Sequence, residues 1–162
     1  MDSGIDLRKK GSTDRYRFDY KGMHRYLVTF TTYRSVSVFT EKSVVLRLLD
    51  LLRESCWKHH FDVYAYCCLP DRLVMIVRGK TEHADMKAFI AAFRSHSSGL
   101  FQESLGHPLW KRTYTERVLR KREDSKVLAS EVFQLPVQAG LVSRAEDFAF
   151  RGSFVLHDRK RS

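Results

Sequence analysis

Residues 63–79 constrain the fold more than any other stretch of the chain, because two apolar runs of strand length meet there at Pro70-Asp71. Proline fixes φ and lacks an amide donor, and aspartate accepts hydrogen bonds from its own neighbouring backbone, so the pair has turn chemistry. The stretch predicts a hairpin at the middle of a sheet. Side chains alternate along its second strand, putting Arg72, Val74, Ile76 and Arg78 on one side and Leu73, Met75 and Val77 on the other.

The flanking segments supply the rest of a small α+β domain. Residues 26–33 are rich in β-branched and aromatic side chains and predict the first strand. Thr40 is expected to cap a helix running to about His59, with Val45, Leu48, Leu49, Leu52 and Cys56 on one face. A second helix, from about His83 to Glu103, buries Met86, Phe89, Ile90, Phe93, Leu100 and Phe101, and Gly106 and Pro108 stop it. The centre of the basic segment 111–122 predicts the fourth strand. A third helix over about 124–134 turns Val127, Leu128 and Val132 inward and ends at Leu135-Pro136, since proline disfavours helical geometry in the residue before it. The remainder is expected to be loop and tail. The order β-α-β-β-α-β, then helix, is that of a ferredoxin-like split βαβ fold: an antiparallel four-stranded sheet with an additional C-terminal helix. Such a sheet packs its helices on one face and leaves the other for a ligand.

A chain of 162 residues suits one domain, read as 23–153, preceded by a flexible basic arm (1–22) and followed by a basic tail (154–162). Twenty-nine Lys and Arg against 19 acidic residues leave a net charge of +10, which favours polyanionic partners, nucleic acid first. Within 111–126 alone the excess is four positive charges. No apolar run approaches bilayer length and the first residues lack a signal-peptide core, so a cytoplasmic protein is expected. Cys67 and Cys68 are neighbours on a strand and point to opposite faces. With Cys56 they are expected as buried free thiols. Neither they nor His24, His59, His60, His83, His96, His107 and His157 have metal-ligand spacing.

Five motifs in the right order resemble the REP-associated branch of the single-tyrosine HUH transposases. They are Tyr26-Leu-Val-Thr-Phe-Thr-Thr-Tyr-Arg34, Tyr64-Ala-Tyr-Cys-Cys-Leu-Pro-Asp71, the Trp-containing segment 109–124, Pro136-Val-Gln-Ala-Gly-Leu-Val142 and Phe150-Arg-Gly-Ser153. The resemblance covers roughly 23–153. It implies an enzyme that cuts single-stranded DNA beside a hairpin. There, two histidines of a His-hydrophobic-His strand hold magnesium or manganese against the scissile phosphate, and a tyrosine hydroxyl attacks.

The chemical positions are substituted in this chain. The two histidine positions fall on Arg72 and Val74, the tyrosine on Glu131, and the polar residue one turn later on Leu135. Protonated arginine has no lone pair for a metal, and valine has none at all. What the resemblance then implies is a transposase-like DNA-binding protein without a metal cofactor and without cleavage, its partner a hairpin or single strand. Phosphate contacts are expected from Lys111, Arg112, Arg117, Arg120, Lys121 and Arg122, joined by Arg72 and Arg78, with Tyr114 stacking on a base. Two other readings stay open: a rebuilt nuclease using Tyr114, or Asp71 with Glu131 and a borrowed histidine, the two carboxylates on magnesium, and a scaffold for protein partners.

Overall fold

The fold is described by a computed structural model over residues 18–155. Its centre is β3 (Arg72–Gly79), antiparallel to β1 (Arg25–Thr31) on one side and to β2 (Phe61–Leu69) on the other. β4 (Thr115–Val118) pairs outside β1 and the two-residue β5 (Arg151–Gly152) outside β2, giving the order β4-β1-β3-β2-β5. β1 and β2 therefore run parallel with β3 between them, and α1 (Lys42–His59) carries the chain from one to the other. This is the expected α+β class with an antiparallel sheet. The fifth strand is an addition to the four expected. Gly152 admits it, since a Cβ there would lie 2.9 Å from the Tyr66 hydroxyl oxygen.

The Pro70-Asp71 turn joins β2 to β3 as expected, and its carbonyls do further work. Asp71 O accepts from the Thr32 amide at 2.9 Å, and Pro70 O accepts from Val38 and Phe39 at 2.8 and 3.0 Å. The loop between β1 and α1 is thereby tied to the hairpin.

One face of the sheet, carrying Tyr26, Val28, Phe30, Leu73, Met75 and Val77, packs under α1 and α2 (Met86–Leu105). Trp110, in the segment leading to β4, sits among Phe30, Phe39 and Phe93 and donates its indole N–H to Ser97 Oγ at 2.9 Å. A buried tryptophan N–H needs such a partner. The helix starts differ from expectation. α1 follows Glu41 rather than Thr40, without a side-chain cap, and α2 follows Asp85, whose carboxylate accepts from the Ala88 amide. Leu100, expected inside, is exposed.

The second face is the larger departure. The sequence suggested a free face, but α3 (Ser125–Phe133) and α4 (Leu135–Gln138) lie over β2 and β3. Ala65, Cys67, Leu69, Val74 and Ile76 pack there against Ala129 and Val132. The physical reason is β3 itself, where 73–77 are apolar at every position and both faces must leave water. Val127, expected inward, is 55% exposed, and Ala129 takes the buried place. The chain also continues helically past Pro136, which sits in the first turn of α4 where a missing amide costs little.

Phe18 and Tyr20 pack against Tyr26, and the Gly22 amide donates to Ala84 O at 2.9 Å. The stretch 18–22, assigned above to a flexible arm, is thus docked on the domain by its aromatic rings. The rest of that arm, and the tail from 156 onward, lie outside the described residues. All three cysteines are free and buried, and burial pushes the Cys56 and Cys67 thiols up to about 12. No described helix is long and apolar enough to cross a membrane.

Gly79 marks where the N-terminal segment crosses the sheet, since a Cβ there would meet Gly22 O at 2.1 Å and the Ala84 Cβ at 3.0 Å. Backbone atoms cannot swing aside. Gly79→Ala should cost about 1–3 kcal/mol, the usual scale of overpacking, read as a lower urea midpoint at unchanged slope. Gly99→Ala, with open space around its Cβ position, serves as the control.

Candidate nucleic-acid interface

The positions that the sequence aligned with a metal site fall in the covered half of the second face. Val74 is buried and packs in the same apolar cluster as Leu135, with Leu69, Cys67 and Ile76 around them. Glu131 is exposed on α3. Arg72 lies at the start of β3 with its guanidinium 3.6 Å from the Asp71 carboxylate. The donor set does not fit a divalent cation: a guanidinium, an isopropyl group and an isobutyl group offer no lone pairs. Among the described residues no three His, Cys, Asp or Glu side chains come together to hold a metal ion.

The other half of this face, over β1 and β4, is open. Alternation places Arg25, Leu27, Thr29 and Thr31 on it, and the register of β4 adds Thr115 and Arg117. All of these except Leu27 carry hydrogen-bonding side chains, and all are partly or fully exposed. The strip is polar and half-buried, bounded by α3 on one side.

Cations stand at both ends of the strip. At one end the Lys111 amide donates to Thr31 O at 2.9 Å, which sets Lys111 and Arg112 beside the end of β1 and near Arg72, the register partner of Thr31. At the other end the Leu119 amide donates to Arg25 O at 2.9 Å, and Arg120, Lys121 and Arg122 follow in the turn to α3. Lys111, Arg112, Arg120, Lys121 and Arg122 are exposed and have no ion-pair partner among the described residues. The ends are six strand residues apart, roughly 20 Å at about 3.3 Å per residue.

Three other expected contacts are already engaged. Arg117 forms a two-pronged pair with Glu123, at 3.0 Å for each nitrogen. Arg78 lies 3.3 Å from Asp62 Oδ2, at the far end of β3 from Arg72. Tyr114 faces the opposite side of the sheet, edge-on to Phe30 at 5.2 Å and beneath the Arg94 guanidinium at 5.1 Å. Burial first, and the Glu116 carboxylate next, push its hydroxyl up to about 12. A ring so packed is not presented for base stacking, and its hydroxyl is protonated at neutral pH. Asp71, half of the carboxylate pair considered for magnesium, is paired with Arg72.

The positioning residues were not visible in the sequence. Arg25 reaches across from β1 and donates to Glu123 O and Ser125 Oγ, both at 2.7 Å, and to Arg120 O. It fixes the turn that carries Arg120, Lys121 and Arg122. Arg94 does the same at the other end, donating to Lys111 O at 2.7 Å and Arg112 O at 2.8 Å. Both are long-range side-chain-to-backbone bonds, for which local sequence has no signal.

No protein-family model matches the chain, and no curated protein does. Among solved structures the fold is similar to that of a REP-associated tyrosine transposase bound to a REP hairpin, with a TM-score of 0.70 over 90% of this chain and 84% of that one, at 18% identity. A Deinococcus radiodurans protein named as a putative transposase matches 74% of this chain and 94% of its own at 20% identity, with a TM-score of 0.49. At 18% identity the first of these likenesses establishes the fold.

Glu123 gives the interface a pH dependence. Its hydrogen bond with Arg117, followed by a backbone bond from Arg120, holds its carboxyl below the ordinary 4.5, against a smaller opposing effect of burial. A carboxyl depressed in the folded state stabilises fully above its unfolded value and loses that contribution as pH falls through the folded one. The Arg120–Arg122 turn should therefore loosen only below pH 4.5. Amide exchange at 119–124 should show it, with Glu123→Gln already loosened at neutral pH.

Proposed function

We propose that this chain is a transposase-like DNA-binding protein that holds a hairpin or single-stranded DNA along the open strip over β1 and β4, and that it carries out no metal-dependent tyrosine cleavage. One observation carries the reading. Two groups of unpaired, backbone-anchored cations stand at opposite ends of a polar half-face, Lys111 and Arg112 at one and Arg120, Lys121 and Arg122 at the other. A phosphate backbone is the polyanion that such spacing suits, since roughly 20 Å corresponds to about six nucleotides of duplex rise. Support also comes from the fold's likeness to a transposase bound to a REP hairpin.

The chemistry of the covered half argues against cleavage. Polarising a scissile phosphate needs a Lewis acid or a donor aimed at its oxygens, and an attacking group needs a hydroxyl. Val74 and Leu135 supply packed hydrocarbon there, and Glu131 supplies a carboxylate, which repels phosphate. Arg72 remains able to contact a phosphate, at the cost of sharing its charge with Asp71.

In a gel-shift series, hairpin DNA should bind with an affinity that falls steeply between low and moderate salt. Replacing Lys111 and Arg112 together by Gln should reduce the slope of log K against log salt by about 1.4–1.8, as expected for two lost phosphate contacts. Incubation of labelled hairpin with magnesium or manganese should leave the DNA uncut and free of a covalent protein adduct. Salt-independent binding would remove the first half of the reading, and an adduct the second.

A further inference from the structure

A cavity of about 330 Å³ lies on the opposite flank of α3 from the open strip, between that helix, β2 and the segment leading into β5. Three features of the fold shape it. β2 carries a bulge between Val63 and Ala65, so Tyr64 is the extra residue, and bulges re-aim the side chain they insert. Tyr64 lines the cavity half-buried, and its hydroxyl makes no hydrogen bond among the described residues. On α3, Lys126, Ser130 and Phe133 follow at helical spacing along one flank, with Gln134 after them. Across from these stands Arg151, whose Nε donates to Ala145 O at 2.7 Å while its guanidinium lies 5.0 Å from the centre of the Phe133 ring.

Arg151 is the informative residue. One of its five N–H donors is spent on Ala145 and its plane is fixed by Phe133, leaving the terminal nitrogens to a ligand. It has no ion-pair partner among the described residues, nor has Lys126. The lining then combines two cations, one carboxylate (Glu146), two aromatic rings, two hydroxyls and an amide. The cations exceed the carboxylate by one charge, which suits a group with a single negative charge. Inorganic phosphate alone would leave the rings unused, and an apolar ligand would strand the cations.

From this arrangement we infer that the cavity is a binding site for one nucleotide unit, its base against Tyr64 and Phe133 and its phosphate toward Lys126 and Arg151. The Gln134 amide both donates and accepts, as recognition of a base edge requires. Ser130 adds a hydroxyl at the rim. An unpaired nucleotide of a longer strand, whose phosphodiester carries one negative charge, meets this chemistry, and so does a free nucleoside monophosphate, whose phosphate carries about 1.5–2 at neutral pH and can share the excess with solvent. The inference stands apart from DNA binding on the open strip, since α3 separates the two surfaces.

The test uses the full chain and the four deoxynucleoside monophosphates, followed by amide chemical shifts. Shifts clustered at 126–134 and around 151, absent with deoxynucleosides or inorganic phosphate, support the site. Lys126→Gln should weaken binding about fivefold to tenfold, the scale of one charge-assisted hydrogen bond. Ser130→Trp, at an exposed helix position, should fill the cavity and abolish monophosphate binding while leaving the thermal midpoint unchanged. A second arm exposes the protein to a hairpin carrying one unpaired 5-iodouracil under ultraviolet light. Crosslinking to Tyr64 identifies the strand as the source, and monophosphate binding without crosslinking identifies the free nucleotide. Absence of both clustered shifts at about 10 mM nucleotide, a range that detects even millimolar affinity, and of the crosslink overturns the inference.

Discussion

The whole structure depends on β3 being apolar on both faces. Five consecutive residues, 73–77, are buried there, and no single layer of helices can remove both sides of a strand from water. α1 and α2 cover one side. α3 and α4 must cover the other, and they reach it only because the chain crosses the sheet's far edge in β4 and turns back through residues 119–124. The length of β4 and the geometry of that turn follow from this need, and so does the Arg25 clamp that holds it. Three hydrogen bonds from one guanidinium to a turn are worth making when the helix beyond the turn seals a hydrophobic face.

Because α3 lies mainly over β2 and β3, with Leu27 of β1 at the margin of its cluster, the second face is divided. Its closed half contains the hydrocarbon cluster around Val74, and its open half contains the threonines and Arg117 of β1 and β4. The division matters for charge as well. Arg72, Arg78, Lys80 and Arg117 are compensated by Asp71, Asp62 and Glu123, so formal net charge overstates what the face offers a polyanion. The uncompensated cations lie on the connecting segments at the two strand ends. There Arg25 and Arg94 pin the carbonyls of the same segments, which leaves the neighbouring cationic side chains toward solvent.

Much of the first layer was legible in the sequence. The Pro70-Asp71 turn, the alternation of β3 and the core faces of α1 and α2 are local patterns, and periodicity records them. The second layer was misjudged at one point: alternation put Val74 and Ile76 on a face with Arg72 and Arg78, and the two arginines made that face look solvated. The uninterrupted apolar run 73–77 was the better signal, since strands covered on one side only alternate in polarity. Val127 was placed inward for the same reason, because a helix assumed to join the first layer was given the wrong facing stripe. The cavity beside Tyr64 had no local signature at all. It needs a one-residue bulge and the return of residues 145–151, both products of pairing over long sequence distances.

The apolar cluster around Val74 and the strand-end cations occupy different halves of this face and answer to different physical demands. A metal site on β3 would put lone-pair donors and a hydrated ion beneath α3, in the one region where that helix must pack. Buried Val74 and half-buried Leu135 instead extend the cluster that joins α3 to the sheet, and burying a side chain such as Val74 is worth about 1.5–3 kcal/mol. Apolar side chains at these positions therefore serve the packing of α3 and leave no room there for a hydrated ion. The strand-end cations gain nothing from such packing, being exposed and unpaired, and a basic surface that only raised solubility would not need two arginines to hold its backbone in place.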